Sequence, residues 1–449
     1  MKQKIERPLF TLLTGVQKRM SLHMPGGQGK APFTWRNPYA IDTTELPITD
    51  DLYAPCGAIA RAEQLMATAI GVPHTLMLTG GSTAGIQTML RYALSPGDTL
   101  IASRNVHNSA LHAIINFGCH IVFLPINDNL LSTLEATVQS HPHAKAVLLV
   151  SPDYYGHRLP LTELACITHK ANLLFLVDEA HGAHLHWLAG CTTAMQAGAD
   201  LAVQSAHKTL PALTGCAWLH ASQNINAKRL RTCLRMVQTS SPSFVLLTSL
   251  DDARAYMQHK GKARAKQVAT AVLQFEKNVL PLGYVSTRQP LSDPLRVVLL
   301  APQGGFALAE QLAQHHIDVE MADEKHIVCI LSILDGEKRL RKLRKILQKL
   351  PIIPTTAQNM PTLPITMPER VMPMSQAFFL PTEQVPISCA VGRIAATQAG
   401  LYPPGIALIT AGERLSQELV DYFLSLPQNR LFGFSENTLT VLMERKECL

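Results

Sequence analysis

Few features in this sequence would place it outside the globular enzymes. No run reaches the roughly 18 apolar residues that a membrane-spanning helix needs. The start, Met1-Lys2-Gln3-Lys4-Ile5-Glu6-Arg7-Pro8-Leu9-Phe10, lacks the apolar core and small-residue cleavage site of a secretory leader. Charged residues are sparse at 16%, and a hydrophobic content of 47% excludes a disordered chain. The nine cysteines, at 56, 119, 166, 191, 216, 233, 329, 389 and 448, form no CxxC pair and follow no regular spacing. They read as reduced thiols, so a cytoplasmic location is expected. His181, His184 and His186 have no nearby cysteine or carboxylate to complete a zinc set, so no metal is expected.

The formal net charge of +7 is spread thinly apart from one cluster, Glu337 to Leu350, whose apolar positions 340, 343, 346, 347 and 350 recur at helical spacing. A solvated basic face over a small-domain sheet explains it, so neither nucleic acid nor membrane is expected as a partner. At 449 residues the chain can hold two or three domains, each with a sizeable core.

What the chain does contain is a series of apolar runs that end in reactive residues. Leu173-Leu174-Phe175-Leu176-Val177-Asp178 is followed by Glu179-Ala180-His181-Gly182, and a later run leads to Gln204-Ser205-Ala206-His207-Lys208-Thr209. Each reads as a short buried parallel strand, and an open α/β sheet displays its reactive groups where such strands end. A lysine placed there can form an imine with an aldehyde cofactor, and a carboxylate placed there can keep a pyridine nitrogen protonated. Taken singly, Lys208 reads as a surface lysine and Asp178 as a helix N-cap. Their joint placement at successive strand ends points to pyridoxal phosphate (PLP).

Two further elements match. Thr75-Leu76-Met77-Leu78-Thr79-Gly80-Gly81-Ser82-Thr83 reads as strand, turn and helix start. Its glycines let the backbone approach a phosphate, the Ser82 and Thr83 hydroxyls donate, and the helix N-terminus favours an anion. Alone, such a turn is an ordinary connection. His107, in Ser103-Arg104-Asn105-Val106-His107, follows another strand and is placed to stack on a flat ring, although a lone histidine is usually structural.

In order along the chain, His23-Met24-Pro25-Gly26, Asp50-Asp51-Leu52-Tyr53-Ala54-Pro55-Cys56-Gly57, Gly81-Ser82-Thr83, Arg104-Asn105-Val106-His107, Asp178-Glu179-Ala180-His181-Gly182, Ser205-Ala206-His207-Lys208 and Tyr402-Pro403-Pro404-Gly405-Ile406 resemble the Orn/Lys/Arg decarboxylases. The likeness is closest to the short Gram-positive type without a wing domain. It implies an α/β fold: a PLP-dependent transferase-like large domain with a mostly parallel sheet, plus a smaller α+β C-terminal domain. It also implies Lys208 as the lysine that carries PLP, Asp178 as partner of the pyridine nitrogen and His107 as the stacking residue. Gly81, Ser82, Thr83, Ser205 and His207 correspond to phosphate-holding positions, and His181 to a position beside the ring. The reaction implied is decarboxylation of arginine, lysine or ornithine to an amine of the polyamine class, by a homodimer or tetramer.

For the substrate's cationic end the candidates are Glu413, Asp50 and Asp51. Pro403 to Glu413 reads equally as a tight turn before a helix. The family pattern is not complete. Gly27 and Gln28 stand where a histidine and a lysine are usual, and Tyr53 replaces a histidine. Asn108 replaces a frequent lysine, Asp153 a smaller residue, and Ala206 is smaller than usual. Cofactor positions are kept and substrate-side positions have drifted. Another PLP reaction, such as transamination or α-oxoamine synthesis, or a cofactor-binding scaffold without activity, therefore stays open. Composition shifts suggest an N-terminal arm at 1–55, the PLP domain at 56–280, a small-domain part at 281–350, a proline-rich connector at 351–385 and a C-terminal domain at 386–449.

Overall fold

A computed structural model of the protein describes residues 19–27, 33, 37–46, 48–125, 129–352, 366–402 and 405–444. Gln28, Pro403, Pro404 and Cys448, with most of the proline-rich stretch, lie outside the described residues.

The central sheet has seven strands: β2 (His74–Leu78), β3 (Thr99–Ser103), β4 (His120–Leu124), β5 (Ala146–Val150), β6 (Leu174–Asp178), β7 (Leu201–Ser205) and β8 (Ala217–Ala221). Their spatial order is β2-β8-β7-β6-β5-β3-β4. Pairing is parallel from β7 through β6, β5 and β3 to β4, and β8 runs antiparallel to both its neighbours. The apolar runs form strands because both faces of the sheet are covered. Leu176 packs with Leu100, Leu148, Ile86 and Met89 on one face, and Phe175 and Val177 pack with Val147, Leu149 and Leu164 on the other. A residue-by-residue alternation between two buried faces is what makes such strands read as continuous hydrophobic stretches.

A strand of the arm, β1 (Met20–Leu22), reaches past this sheet to lie parallel to β11 (Ile317–Val319). Beyond the long helix Lys262–Val279, a second sheet is formed by β9 (Val285–Ser286), β10 (Arg296–Leu300), β12 (Met321–Ala322) and β13 (His326–Ile330), in the order β12-β13-β10-β9. The basic segment expected as an amphipathic helix is one, Glu337–Leu347, and buries Leu340, Leu343 and Leu347. The expected break at residue 386 falls inside a structural unit. Thr382–Pro386 is already a strand of the C-terminal sheet, paired with Thr438–Leu442, so part of the proline-rich stretch belongs to that unit.

Among the described residues no helix is long and apolar enough to cross a membrane. No group of three or more His, Cys, Asp or Glu residues that could hold a metal is found among them either.

Candidate active site

The site is assembled at the ends of adjacent strands. β6 ends in Asp178, which is level with Val203 of β7, and β7 runs into the single helical turn Ala206–Thr209 that carries Lys208. Asp178 is 5% exposed, and one of its oxygens accepts the Ala180 N–H at 3.0 Å. The Lys208 Nζ lies 2.9 Å from His181 Nε2, and the other nitrogen of that ring, Nδ1, lies 3.2 Å from Arg296 Nη2. Tyr154 presents its ring edge-on to His181, with centroids 5.1 Å apart. The Tyr154 hydroxyl donates to Glu320 at 2.5 Å, whose second oxygen accepts the Met24 N–H at 3.0 Å. Arm, large sheet and small sheet thus meet around one lysine.

Burial dominates the electrostatics. It pushes the Lys208 amine below the ordinary lysine value, with Arg296 acting in the same direction and Asp178 and Glu320 opposing. Burial also holds His181 well below the usual imidazole value, helped by the positive field of Lys208 and Arg296. His107 is lowered by burial, against the pull of Asp178.

His107 is fixed by its own helix. It is the N-cap of Asn108–Phe117, and its Nδ1 accepts the Ser109 N–H at 3.2 Å. The ring is therefore held in one orientation, with the charges of Asp178 and Lys208 acting on it.

The turn expected to take a phosphate opens the helix Gly81–Ala93. Gly81 has φ +69°, in the left-handed region where a side chain is strained, and no side chain caps the helix. Register brings the rest of the set alongside, since Ala217 of β8 pairs with both Leu78 of β2 and Ser205 of β7. The buried polar atoms Thr79 Oγ1, Ser205 Oγ and Gln238 Nε2 have no partner among the described residues. Unspent donors beside an uncapped helix start are what a phosphate satisfies. The residues therefore fit PLP, with Lys208 available for its aldehyde and the carboxylate Asp178 for its pyridine nitrogen. His207 takes a different partner in part, donating from Nδ1 to the Cys216 carbonyl at 3.0 Å.

The three carboxylates expected to meet a substrate cation are engaged elsewhere. Glu413, 2% exposed, receives Arg104 in a bidentate pair at 2.6 and 2.9 Å, Arg370 at 2.9 Å and the Thr410 N–H at 2.8 Å. Asp50 accepts the N–H groups of Cys56, Gly57 and Ile59 at 2.9 Å. Burial alone would raise the Asp50 carboxyl, and these backbone bonds hold it below its usual value. Asp51 accepts the Tyr53 N–H at 2.7 Å. The two aspartates shape the turn that starts the helix Ala58–Ile70, and Glu413 ties the C-terminal unit to the loop carrying His107.

The three histidines considered for a metal also separate. His181 faces Lys208, while His184 donates to Asp293 at 2.7 Å and sits 3.2 Å from the Thr209 hydroxyl. His186 packs against Trp187. Sequence reasoning missed Arg296, Glu320, Tyr154 and the His184–Asp293 pair. Arg296 had a usable signal, being a charged residue inside the apolar run Leu295 to Leu300. Glu320 had none.

Residues 23–292 match the Orn/Lys/Arg decarboxylase major domain, and residues 333–447 match the Orn/Lys/Arg decarboxylase C-terminal domain. An arginine decarboxylase from Bacillus anthracis is 33% identical over 485 aligned positions, covering 98% of both chains. An arginine decarboxylase from Bacillus subtilis is 32% identical, covering 93% of each. Among solved structures, the constitutive lysine decarboxylase of E. coli superposes with a TM-score of 0.78 at 20% identity, over 98% of this chain and 80% of that one.

Proposed function

The chain belongs to the Orn/Lys/Arg decarboxylase family, so its reaction is the PLP-dependent decarboxylation of a basic amino acid, and we propose that the substrate is arginine and that Lys208, Asp178 and His107 carry the chemistry. Support for arginine comes from relatives of that activity spanning almost the whole chain. The observation that carries the assignment of residues is the buried contact of Lys208 with His181 beside Asp178.

When bound, PLP supplies an electron sink for the bond between Cα and the carboxylate. Lys208 holds the cofactor through its amine. Asp178, with little water around it, keeps the pyridine nitrogen protonated, because an unpaired carboxylate in a dry site strongly favours a nearby cation. His107, in the orientation set by Ser109, would stack on the cofactor ring. Gly81, Ser82, Thr83, Ser205 and His207 would hold its phosphate at the helix start. Lys208 or His181 returns a proton to Cα after CO₂ leaves.

Glu320 receives the substrate's guanidinium. It is only partly buried, it acts on Lys208 through its charge, and its carboxylate keeps lone pairs beyond those used by Tyr154 and Met24. Asp323 and Glu324 extend the negative field on that side, which draws in a cationic amino acid. Exposed Phe378 and Phe379 on the C-terminal unit offer an apolar surface for self-association as a dimer or tetramer. The eight described cysteines are all unpaired, which supports a cytoplasmic setting.

The test is CO₂ and amine release by the purified chain from arginine, lysine and ornithine in turn. Arginine is expected to be used with kcat/KM at least ~10-fold above the others, and Glu320→Gln to raise its KM roughly tenfold or more, the loss of one charge-assisted hydrogen bond. A visible cofactor band that persists in Lys208→Ala, or a band without CO₂ from any of the three, would refute the assignment.

A further inference from the structure

We propose that Arg296 is a positioning residue that fixes His181 as its Nε2–H tautomer and so holds Lys208 as a neutral amine. The inference rests on the reading of Lys208 as the residue that carries the cofactor, and it adds a control that this reading does not contain.

A guanidinium has only N–H groups to offer, so at 3.2 Å Arg296 Nη2 donates and His181 Nδ1 accepts. A neutral imidazole has a single N–H, which is then on Nε2. That nitrogen lies 2.9 Å from Lys208 Nζ. With Nε2 donating, Nζ must supply a lone pair, which an ammonium does not have. If the lysine were an ammonium donating to Nε2, the imidazole proton would sit on Nδ1 and point at a guanidinium N–H. An imidazolium would make the same clash. The one assignment that satisfies both contacts runs from Arg296 to His181 to Lys208.

The surroundings make that control necessary. Asp178 on β6 and Glu320 beyond β11 both favour a charged lysine. His107, His184 and Tyr154 also face His181, and both histidines act against its protonation. Without Arg296, the two carboxylates would have one less cation opposing them and the imidazole would be free to turn its lone pair toward the lysine. Arg296 is also costly to keep. It is 2% exposed, its Nε and Nη1 have no partner among the described residues, and Asp293 Oδ2 stands at 3.7 Å, beyond hydrogen-bond reach. A buried cation left so poorly paired on its own strand has its best contact with the imidazole.

The experiment uses the full chain freed of PLP and follows the pH midpoint of the rate at which added PLP develops its visible absorbance band, a step that needs Lys208 as the neutral amine. In Arg296→Gln the midpoint is expected to rise by about one pH unit or more, since a cation near the site is removed, and Arg296→Lys is expected to return it part of the way. An unchanged midpoint in Arg296→Gln, with only a lower melting temperature, overturns the proposal, because that is what a purely structural arginine would give. Should Arg296→Gln fail to fold, ¹⁵N spectra of the histidine side chains in the unaltered chain decide. A neutral His181 with its proton on Nε2 supports the proposal, and a proton on Nδ1 or on both nitrogens overturns it. A chain that takes up no PLP would refute the assignment of Lys208, and the ¹⁵N spectra would still judge the tautomer.

Discussion

Glu413→Ala separates a structural carboxylate from a substrate-binding one. In the folded chain this residue is 2% exposed and neutralises two guanidiniums, Arg104 and Arg370, whose side chains are 12% and 24% exposed. Removing it leaves both cations without a carboxylate and the Thr410 N–H without its acceptor, while Arg104 keeps the Leu408 carbonyl and Arg370 keeps the Ala411 carbonyl and the Thr410 hydroxyl. Breaking a buried pair from one side costs about 3–5 kcal/mol, and the partial exposure of Arg370 argues for the lower end, about 3 kcal/mol. At about 2–4 °C per kcal/mol for a domain of this class, the melting temperature should fall by roughly 6–12 °C. Thermal unfolding of the full chain by circular dichroism measures this, alongside KM for arginine. Arg104→Ala should cost a similar amount, and the double variant Arg104→Ala/Glu413→Ala less than the sum, since the two residues share one contact. A melting temperature within ~2 °C of the parent chain, together with a KM raised tenfold or more, would refute the reasoning and return Glu413 to the substrate.

Two other perturbations probe the packing around Lys208. Gly26 lies so close to the turn after Lys208 that an added Cβ would sit 2.7 Å from the Thr209 carbonyl carbon and 2.8 Å from the Leu210 oxygen. Gly26→Ala should therefore destabilise the chain by about 1–3 kcal/mol and weaken PLP retention, read by urea unfolding and by dialysis of the loaded enzyme. Unchanged retention would show that the arm does not press on the lysine. For Asp293, burial works to raise the carboxyl, but His184 and Arg296 outweigh it and hold it at about 2. A carboxyl depressed on folding stabilises the protein above its unfolded value, near pH 4, and that contribution, about 2 kcal/mol, is lost as pH falls toward 2. Urea unfolding between pH 5 and pH 2.5 should show this acid limb flattened in His184→Ala, and identical limbs in both proteins would count against the pair.

Much of the site was legible because its members sit in local patterns. Lys208, Asp178 and His107 each follow an apolar run; the first two lie at the ends of the adjacent strands β7 and β6, and His107 follows β3, on the far side of β5. Gly81 to Thr83 were legible for the same reason, as glycine and hydroxyl residues between a strand and a helix. The pairings across the chain were not. Arg104 stands in the same short motif as His107, yet its partner Glu413 is 309 residues away, and no spacing rule connects them. Asp50 was visible as a carboxylate, but its role as an acceptor for backbone N–H groups depends on a left-handed turn, φ +75°, that composition does not announce. Glu320 and Asp293 belong to segments whose only local signal is a short strand, so their approach to Lys208 and His184 comes entirely from how the small sheet docks.

The arm's strand has a consequence for the order in which the protein is made. Arg19, at the edge of β1, pairs with Asp318, 299 residues further on, so β1 leaves the ribosome long before its partner strand β11 exists. At translation speeds of about 5–20 residues per second, that wait is roughly 15–60 s. The last strand of the seven-stranded sheet ends at Ala221, so the partners of Gly26 at His207, Thr209 and Leu210 are all made well before Asp318. The last side of the site to be made is therefore that of Glu320, which joins the Tyr154 hydroxyl and the Met24 N–H only after the turn bearing Lys208 exists.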